Sequence, residues 1–193
     1  MDKERTLVLI KPDGIKRHLI GEVIRRFETR GLKIVALKMI HPTKSQMDMH
    51  YPKDKAYITQ LGEKTIKTYK EFELPSTLIE DYNTEDPYKI GLLVRKWLVD
   101  FMTSGPIVKM IVEGLHSIKM VRKLIGHTIP AFAEPGTIRG EFSVDSPAIA
   151  NIKKRAVKNL IHASGNKEEA EHEIKLWFLP EEMHDYKTIH TED

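Results

Sequence analysis

TLVLIKPDGIKRHLIGEVIRRFETRGLKIVALKMI, residues 6 to 40, sets out a strand, a turn, a helix and a second strand in that order. Thr6 to Ile10 is a short apolar run, the pattern of a buried strand, and the turn residues Pro12-Asp13-Gly14 stop it. Leu19, Ile20, Val23, Ile24 and Phe27 then recur at helical spacing, and Gly31 stands where a C-terminal cap would end the helix. From Leu32 to Ile40 the pattern alternates loosely, as a strand does, until Pro42 breaks it.

Outward from this stretch, Thr43 with Gln46 three residues later has the form of a capping box opening a short helix. Residues 52 to 97 place two Pro-containing pairs, Leu74-Pro75 and Asp86-Pro87, between two helical patterns. Tyr57, Ile58 and Leu61 mark the first; Ile90, Val94, Trp97, Leu98 and Phe101 mark the second. This segment reads as a helical insertion whose apolar stripes pack on the main body or on a partner chain. After Gly105-Pro106, Ile107 to Val112 is a third strand, and a helix runs from Ser117 to Gly126. A long loop is expected over His127 to Val144, followed by the basic turn Lys153-Lys154-Arg155 and a fourth strand leading into His162. The succession gives an α+β fold: a ferredoxin-like βαββαβ sandwich with a four-stranded antiparallel sheet. We expect one domain over 1–193, carrying a helical insertion at about 52–97.

Composition excludes several function classes. The 193 residues are 40% hydrophobic, enough to bury a sizeable core. Thirty-one basic against 28 acidic side chains leave a net charge of +3 with the signs interleaved, so no strong field for nucleic acid or membrane is expected. Cysteine is absent, which removes thiolate metal sites and thiol nucleophiles, and the nine histidines lack zinc-ligand spacing. No glycine-rich P-loop or dinucleotide fingerprint occurs; Gly62-Glu63-Lys64-Thr65 lacks the preceding glycine and reads as a solvated helix face. The apolar run near the N-terminus is too short for a signal-peptide core and no stretch is long enough to span a bilayer, so a cytoplasmic location is expected.

The chemistry is sought in NLIHASGNKEEAEHEIKLWF, residues 159 to 178. Asn166 fits an N-cap, with Glu169 at the capping-box position. At ~100° per residue, Ala170, Ile174 and Trp177 point inward, Glu168, Glu171, His172 and Lys175 outward, and Glu173 lies on the border. A carboxylate there needs a partner, and His162 is the candidate. A neutral imidazole has one nitrogen lone pair for nucleophilic attack, and a carboxylate on the other ring nitrogen would aim it and stabilise the positive charge that forms. The bland alternative is a histidine that merely ends a strand. Cations at turn or helix positions argue against it: Lys11, Arg122 and Arg139 could together gather a polyphosphate.

LIKPDGIKR (9–17), FMTSGPIVKMIVEG (101–114), HTIPAFAEPGTIRGEF (127–142), NLIHAS (159–164) and the tail EIKLWFLPEEMHDY (173–186) resemble the nucleoside diphosphate kinase family. The resemblance implies a ping-pong reaction in which His162 takes the γ-phosphate of a nucleoside triphosphate, ATP as donor, and passes it to a nucleoside diphosphate. It assigns Lys11, Arg122, Thr128 and Arg139 to the phosphates, Tyr51 to a place beside the histidine, Asn159 to the sugar, and Glu173 to orienting the ring. Magnesium would arrive on the nucleotide, with no protein metal site, and the base would stack in an open slot of broad specificity, with Leu98 as its contact. Homo-oligomers, hexamers or tetramers built from dimers, are implied as well. The chain departs from the family's usual His-Gly-Ser-Asp at Ala163 and Gly165, and a second insertion falls at about 143–158. Two other readings stay open: nucleotide binding without turnover, and nucleic-acid binding through the 153–158 basic cluster, which lacks interleaved aromatics.

Overall fold

The computed structural model describes residues 4–71, 73 and 76–188; the expected Leu74-Pro75 break lies outside them. The first half runs β1 (Glu4–Ile10), α1 (Pro12–Lys16), α2 (Ile20–Glu28), β2 (Lys33–Ile40), α3 (Lys44–His50), α4 (Lys55–Glu71), α5 (Leu78–Tyr82) and α6 (Pro87–Met102). The second half runs β3 (Ile107–Gly114), α7 (Ser117–Ile125), α8 (Ile138–Phe142), α9 (Pro147–Ile152), β4 (Ile161–Ala163) and α10 (Lys167–Trp177), with single 3₁₀ turns at Pro130–Phe132 and Pro180–Glu182. Two compact units result: Met1–His41 with Pro106–Val144 and Asn159–Asp193, and Pro42–Gly105 with Asp145–Lys158.

The first unit holds the sheet, in the order β2-β3-β1-β4 with every neighbour antiparallel. This is the expected βαββαβ arrangement. Thr6 to Ile10 is buried residue after residue because β1 is central and covered on both faces. Val8, Ile10, Met110, Val112, Ile161 and Ala163 form one face and pack on Val23 and Phe27 of α2 and Val121 and Ile125 of α7. The opposite face carries Leu9, and paired across from it Lys109 on β3 and His162 on β4. Here α10 packs on β1, and the Lys109 ammonium donates to the Trp177 carbonyl at 2.5 Å and lies 4.0 Å from the Phe178 ring centre.

Local expectations are mostly met, with instructive exceptions. Gly31 is at φ +72°, and the bonds Leu32 N to Phe27 O and Gly31 N to Glu28 O close α2 in a Schellman motif. Pro12-Asp13-Gly14, expected as a turn, instead begins α1: proline at the first helical position and an acid in the first turn suit a helix start equally well. The expected loop 127–144 contains α8, capped by the Thr137 hydroxyl, which accepts from Gly140 N at 3.1 Å.

The second unit is built on α4 and α6, which cross where Gly62 and Gly91 allow backbone contact: a Cβ on Gly62 would stand 1.8 Å from Pro87 O, and one on Gly91 1.9 Å from Ile58 O. Gly62 is therefore buried, not part of a solvated face, although residues 62 to 65 do lie inside a helix. Capping boxes at Thr43/Gln46 and Thr77/Glu80 open α3 and α5. The two segments expected as insertions meet in this unit, where Tyr82 Oη donates to Asn151 Oδ1 at 2.9 Å and Asn151 Nδ2 reaches the Tyr69 hydroxyl. Asp145 closes the 145–158 segment, accepting from Arg155 at 2.6 and 2.9 Å and from Lys158 N at 2.6 Å, so Arg155 is held within the unit. Among the described residues no helix is long and apolar enough to cross a membrane.

Candidate active site

A left-handed turn presents the histidine. Leu160 has φ +68°, and Ile161 N donates to Asn159 O at 2.8 Å, so the residues before β4 form a γ-turn centred on a non-glycine residue, a strained conformation. Its neighbours over-determine it. Leu160 N donates to Asp13 Oδ2 at 3.0 Å, Lys11 N donates to Leu160 O at 2.8 Å, and Gly14 leaves room for that carbonyl. Beyond the turn, β4 places His162 opposite Leu9, on the sheet face that α10 covers.

There the Glu173 carboxylate meets His162 Nε2 at 2.9 and 3.0 Å. Glu173 is buried, and Ser164 Oγ, fully enclosed, donates to its Oε2 at 2.6 Å. The expected pairing is thus direct, with no bridging water required. A carboxylate only accepts, so Nε2 carries a proton, and in the neutral ring the lone pair lies on Nδ1. The ring is 20% exposed, enough for a reagent to approach. Ala163 lies in extended backbone paired with Val8, so the methyl in place of the family's glycine introduces no backbone strain. Asn166 caps α10 through its side chain, which accepts from Glu169 N at 2.8 Å, but the return arm expected of Glu169 goes to Gly165 N at 2.9 Å.

On the same unit, four candidate residues share one hydrogen-bonded chain. Lys11 Nζ donates to Asn159 Oδ1 at 2.7 Å, and Asn159 Nδ2 donates to the Thr128 carbonyl at 2.8 Å. Arg139 donates to the carbonyls of Asn159, Gly126 and Ile161 at 3.1, 2.8 and 2.6 Å, stitching α8 to the turn. Lys11, Arg139 and Asn159 are buried. Burial first, and Arg139 second, lower the Lys11 ammonium to about 8, with Asp13 opposing; burial and Arg122 lower Arg139 to about 10, again against Asp13. Two buried cations held this close, at a cost to folding, suit an anionic ligand. Arg122 lines a cleft together with Glu4, His116, Lys119, Gly165 and Lys167, and Thr128 is exposed.

Tyr51 and Leu98 belong to the second unit. Tyr51 is buried at the end of α3, where its carbonyl accepts from Arg95 Nε at 2.8 Å, and Leu98 is half-buried on α6. Sequence reasoning missed Asp13 and Ser164. Asp13 was visible only as a turn former, and a single serine beside a histidine gives no pattern at all.

The family model described as nucleoside diphosphate kinase matches residues 4–68 and 65–183. A nucleoside diphosphate kinase of Pyrobaculum aerophilum is 45% identical over 184 residues, covering 95% of this chain and 99% of that protein. Nucleoside diphosphate kinase A of Canis lupus familiaris is 36% identical over 187 residues, covering 97% and 93%. Among solved structures, an NDP kinase from Pyrobaculum aerophilum aligns with a TM-score of 0.88 at 42% identity over 95% of this chain and all of that one. A Borrelia burgdorferi nucleoside-diphosphate kinase, a transition-state mimic with bound vanadate and ADP, aligns with a TM-score of 0.75 at 36% identity over 97% and 94%.

Proposed function

Because this chain belongs to the nucleoside diphosphate kinase family, we propose that His162 is its phosphoryl carrier, moving the γ-phosphate of a nucleoside triphosphate to a nucleoside diphosphate in two steps. In the first, the Nδ1 lone pair attacks the γ-phosphorus as the bond to the β–γ bridging oxygen breaks, and the diphosphate leaves. In the second, a β-phosphate oxygen of the acceptor attacks the phosphohistidine and the P–N bond breaks, restoring the neutral ring. Glu173 holds the Nε2 proton throughout and offsets the positive charge that the ring gains. Lys11, Arg122 and Arg139 spread their charge over the transferring group, Thr128 binds phosphate, and Asn159 contacts the sugar. Tyr51, beside the histidine, and Leu98, on the base, are carried over from the family resemblance alone.

The observation that carries this reading is the two-oxygen contact of Glu173 with Nε2, which orients a ring that a merely structural histidine would not need oriented. Lys11, Arg122 and Arg139 on the phosphate side are cations, a set that suits the phosphates of a magnesium–nucleotide complex. Magnesium carried by the nucleotide would neutralise β- and γ-phosphate oxygens. We read both units as one kinase-like domain with a helical insertion at about 52–97, cytoplasmic, broad in base specificity, and assembled from dimers into hexamers or tetramers.

The test is GTP formation from ATP and GDP with magnesium, abolished by His162→Gln. Wild-type protein that binds nucleotides yet exchanges none would favour binding without turnover.

A further inference from the structure

Lys109 is buried on the sheet face that carries His162, and no transfer step above uses it. It pairs with Leu9, which pairs in turn with His162, so the three side chains form one row across β3, β1 and β4. α10 packs on β1 and is fastened at both ends of this row. At one end Glu173 meets the His162 ring at 2.9 and 3.0 Å. At the other, one helical turn further on, the carbonyl of Trp177, the last residue of α10, accepts from Lys109 Nζ at 2.5 Å. That carbonyl is one of those a helix end leaves without an intrahelical donor, and a cation suits the negative end of the helix dipole. The tail closes over the ammonium: the Phe178 ring centre lies 4.0 Å from Nζ, and Glu182 Oε2, which also accepts Leu179 N at 3.0 Å, lies 3.3 Å from it.

We propose that Lys109 is a positioning residue for phosphoryl transfer: by holding the Trp177 carbonyl it fixes where α10 sits on β1, and so sets the Glu173 carboxylate against Nε2 of His162. This rests on the reading that Glu173 orients the ring. Apolar packing through Ala170 and Trp177 resists separation of helix and sheet but tolerates small slides, because it has no direction. Hydrogen bonds do have one. Two of them on opposite sides of β1, about two strand spacings or ~10 Å apart, pin the helix against both sliding and rotation. Without the Lys109 bond, α10 pivots on the His162 contact, and Ser164 then holds Oε2 of Glu173 alone.

Two variants test this. Lys109→Met keeps the stem and removes the donor, whereas Glu182→Gln loosens the tail's hold on Lys109 and leaves the Trp177 bond. Nitrogen-15 NMR of the histidine rings near pH 8, with His162 assigned by difference from His162→Gln, reads the tautomer, and steady-state kinetics of exchange read its consequence. In the wild type one nitrogen of the His162 ring should be protonated and the other not. In Lys109→Met the two signals are expected to move toward the averaged values of a ring that exchanges tautomers, and kcat to fall about tenfold with KM unchanged within about twofold. Glu182→Gln is expected to keep the wild-type tautomer and a kcat within about twofold of wild type. A His162 tautomer unmoved in folded Lys109→Met would overturn the proposal whatever happens to kcat. So would a loss in Glu182→Gln equal to that in Lys109→Met, which would put the effect in the tail. Should Lys109→Met not fold, Lys109→Gln, whose amide stops one bond short of the carbonyl, takes its place with the same expected and overturning results. Absence of exchange in the wild-type protein would count against the kinase reading, and the His162 tautomer in the variant would still decide the role of Lys109.

Discussion

Glu173 and His162 sit eleven positions apart in sequence, yet both carboxylate oxygens of the first lie within 3.0 Å of Nε2 of the second. The strand puts the ring on the α10 face, and Glu173, the seventh residue of α10, returns the acid to it. Ser164 fastens the carboxylate from the side, so its orientation does not depend on the ring. Glu173→Gln, which keeps the shape and loses the charge, should slow formation of phosphohistidine by about 10- to 100-fold. Ser164→Ala should cost less, about tenfold or under. Rapid-quench measurement of the first step distinguishes the two; equal rates in Glu173→Gln and wild type would remove the orienting role.

With Lys11 in its proposed role, nucleotide binding and stability should move in opposite directions with pH. Its ammonium is lowered from the usual lysine range to about 8, chiefly by burial. Above that value the folded protein has released a proton that the unfolded chain keeps, so this group's contribution to stability rises with pH up to the usual lysine range. Below about 8 both states hold the proton and the burial cost is fully present. On the proposed role of Lys11 in holding phosphate, nucleotide affinity should fall over the same interval. Denaturation of wild type and Lys11→Met at pH 7 and pH 10 checks the sign: the wild type should gain on the variant at the higher pH, and a constant difference would contradict it.

Gly14 guards the turn from behind. A Cβ there would stand 2.8 Å from Ile10 Cγ2 and 2.9 Å from Leu160 O. Gly14→Ala should destabilise the protein by about 1–3 kcal/mol and lower kcat by displacing the Leu160 carbonyl. Stability lost with kcat intact would mean that the turn tolerates displacement.

The two glycines at the α4–α6 crossing have no such latitude. Gly91→Ala should cost roughly 3 kcal/mol or more, since the clash is with backbone at 1.9 Å, whereas Gly21→Ala on the exposed face of α2, with nothing within 4 Å, should gain up to about 1 kcal/mol. Urea denaturation of both variants gives the comparison.

How much of this was legible in the sequence varies with the range of the interaction. The continuous apolar run of β1, the helical spacing of α2 and the Gly31 cap are local signals, and each appears where expected. Pro12-Asp13-Gly14 misled because the same residues open turns and helices, and only the packing of α1 against the Leu160 turn decides between them. α8 escaped because five residues are too few to display a period. At the site, the facing of Glu173 followed from helical geometry, but its distance to the ring depends on how α10 seats on β1, a tertiary matter. The union of 145–158 with 42–105 is carried by Asn151 meeting Tyr69 and Tyr82, contacts between segments far apart in the chain with no sequence pattern. Ser164 and Asp13 act through single hydrogen bonds, which composition and periodicity do not register.

On the proposed mechanism His162 becomes a covalent carrier of the phosphoryl group. Intact-mass spectrometry at alkaline pH, after brief mixing with magnesium and ATP in the absence of acceptor, should find the chain heavier by one phosphoryl group in the wild type and unaltered in His162→Gln. A wild-type chain that stays unmodified while nucleotide is shown to be bound would rule out the phosphohistidine.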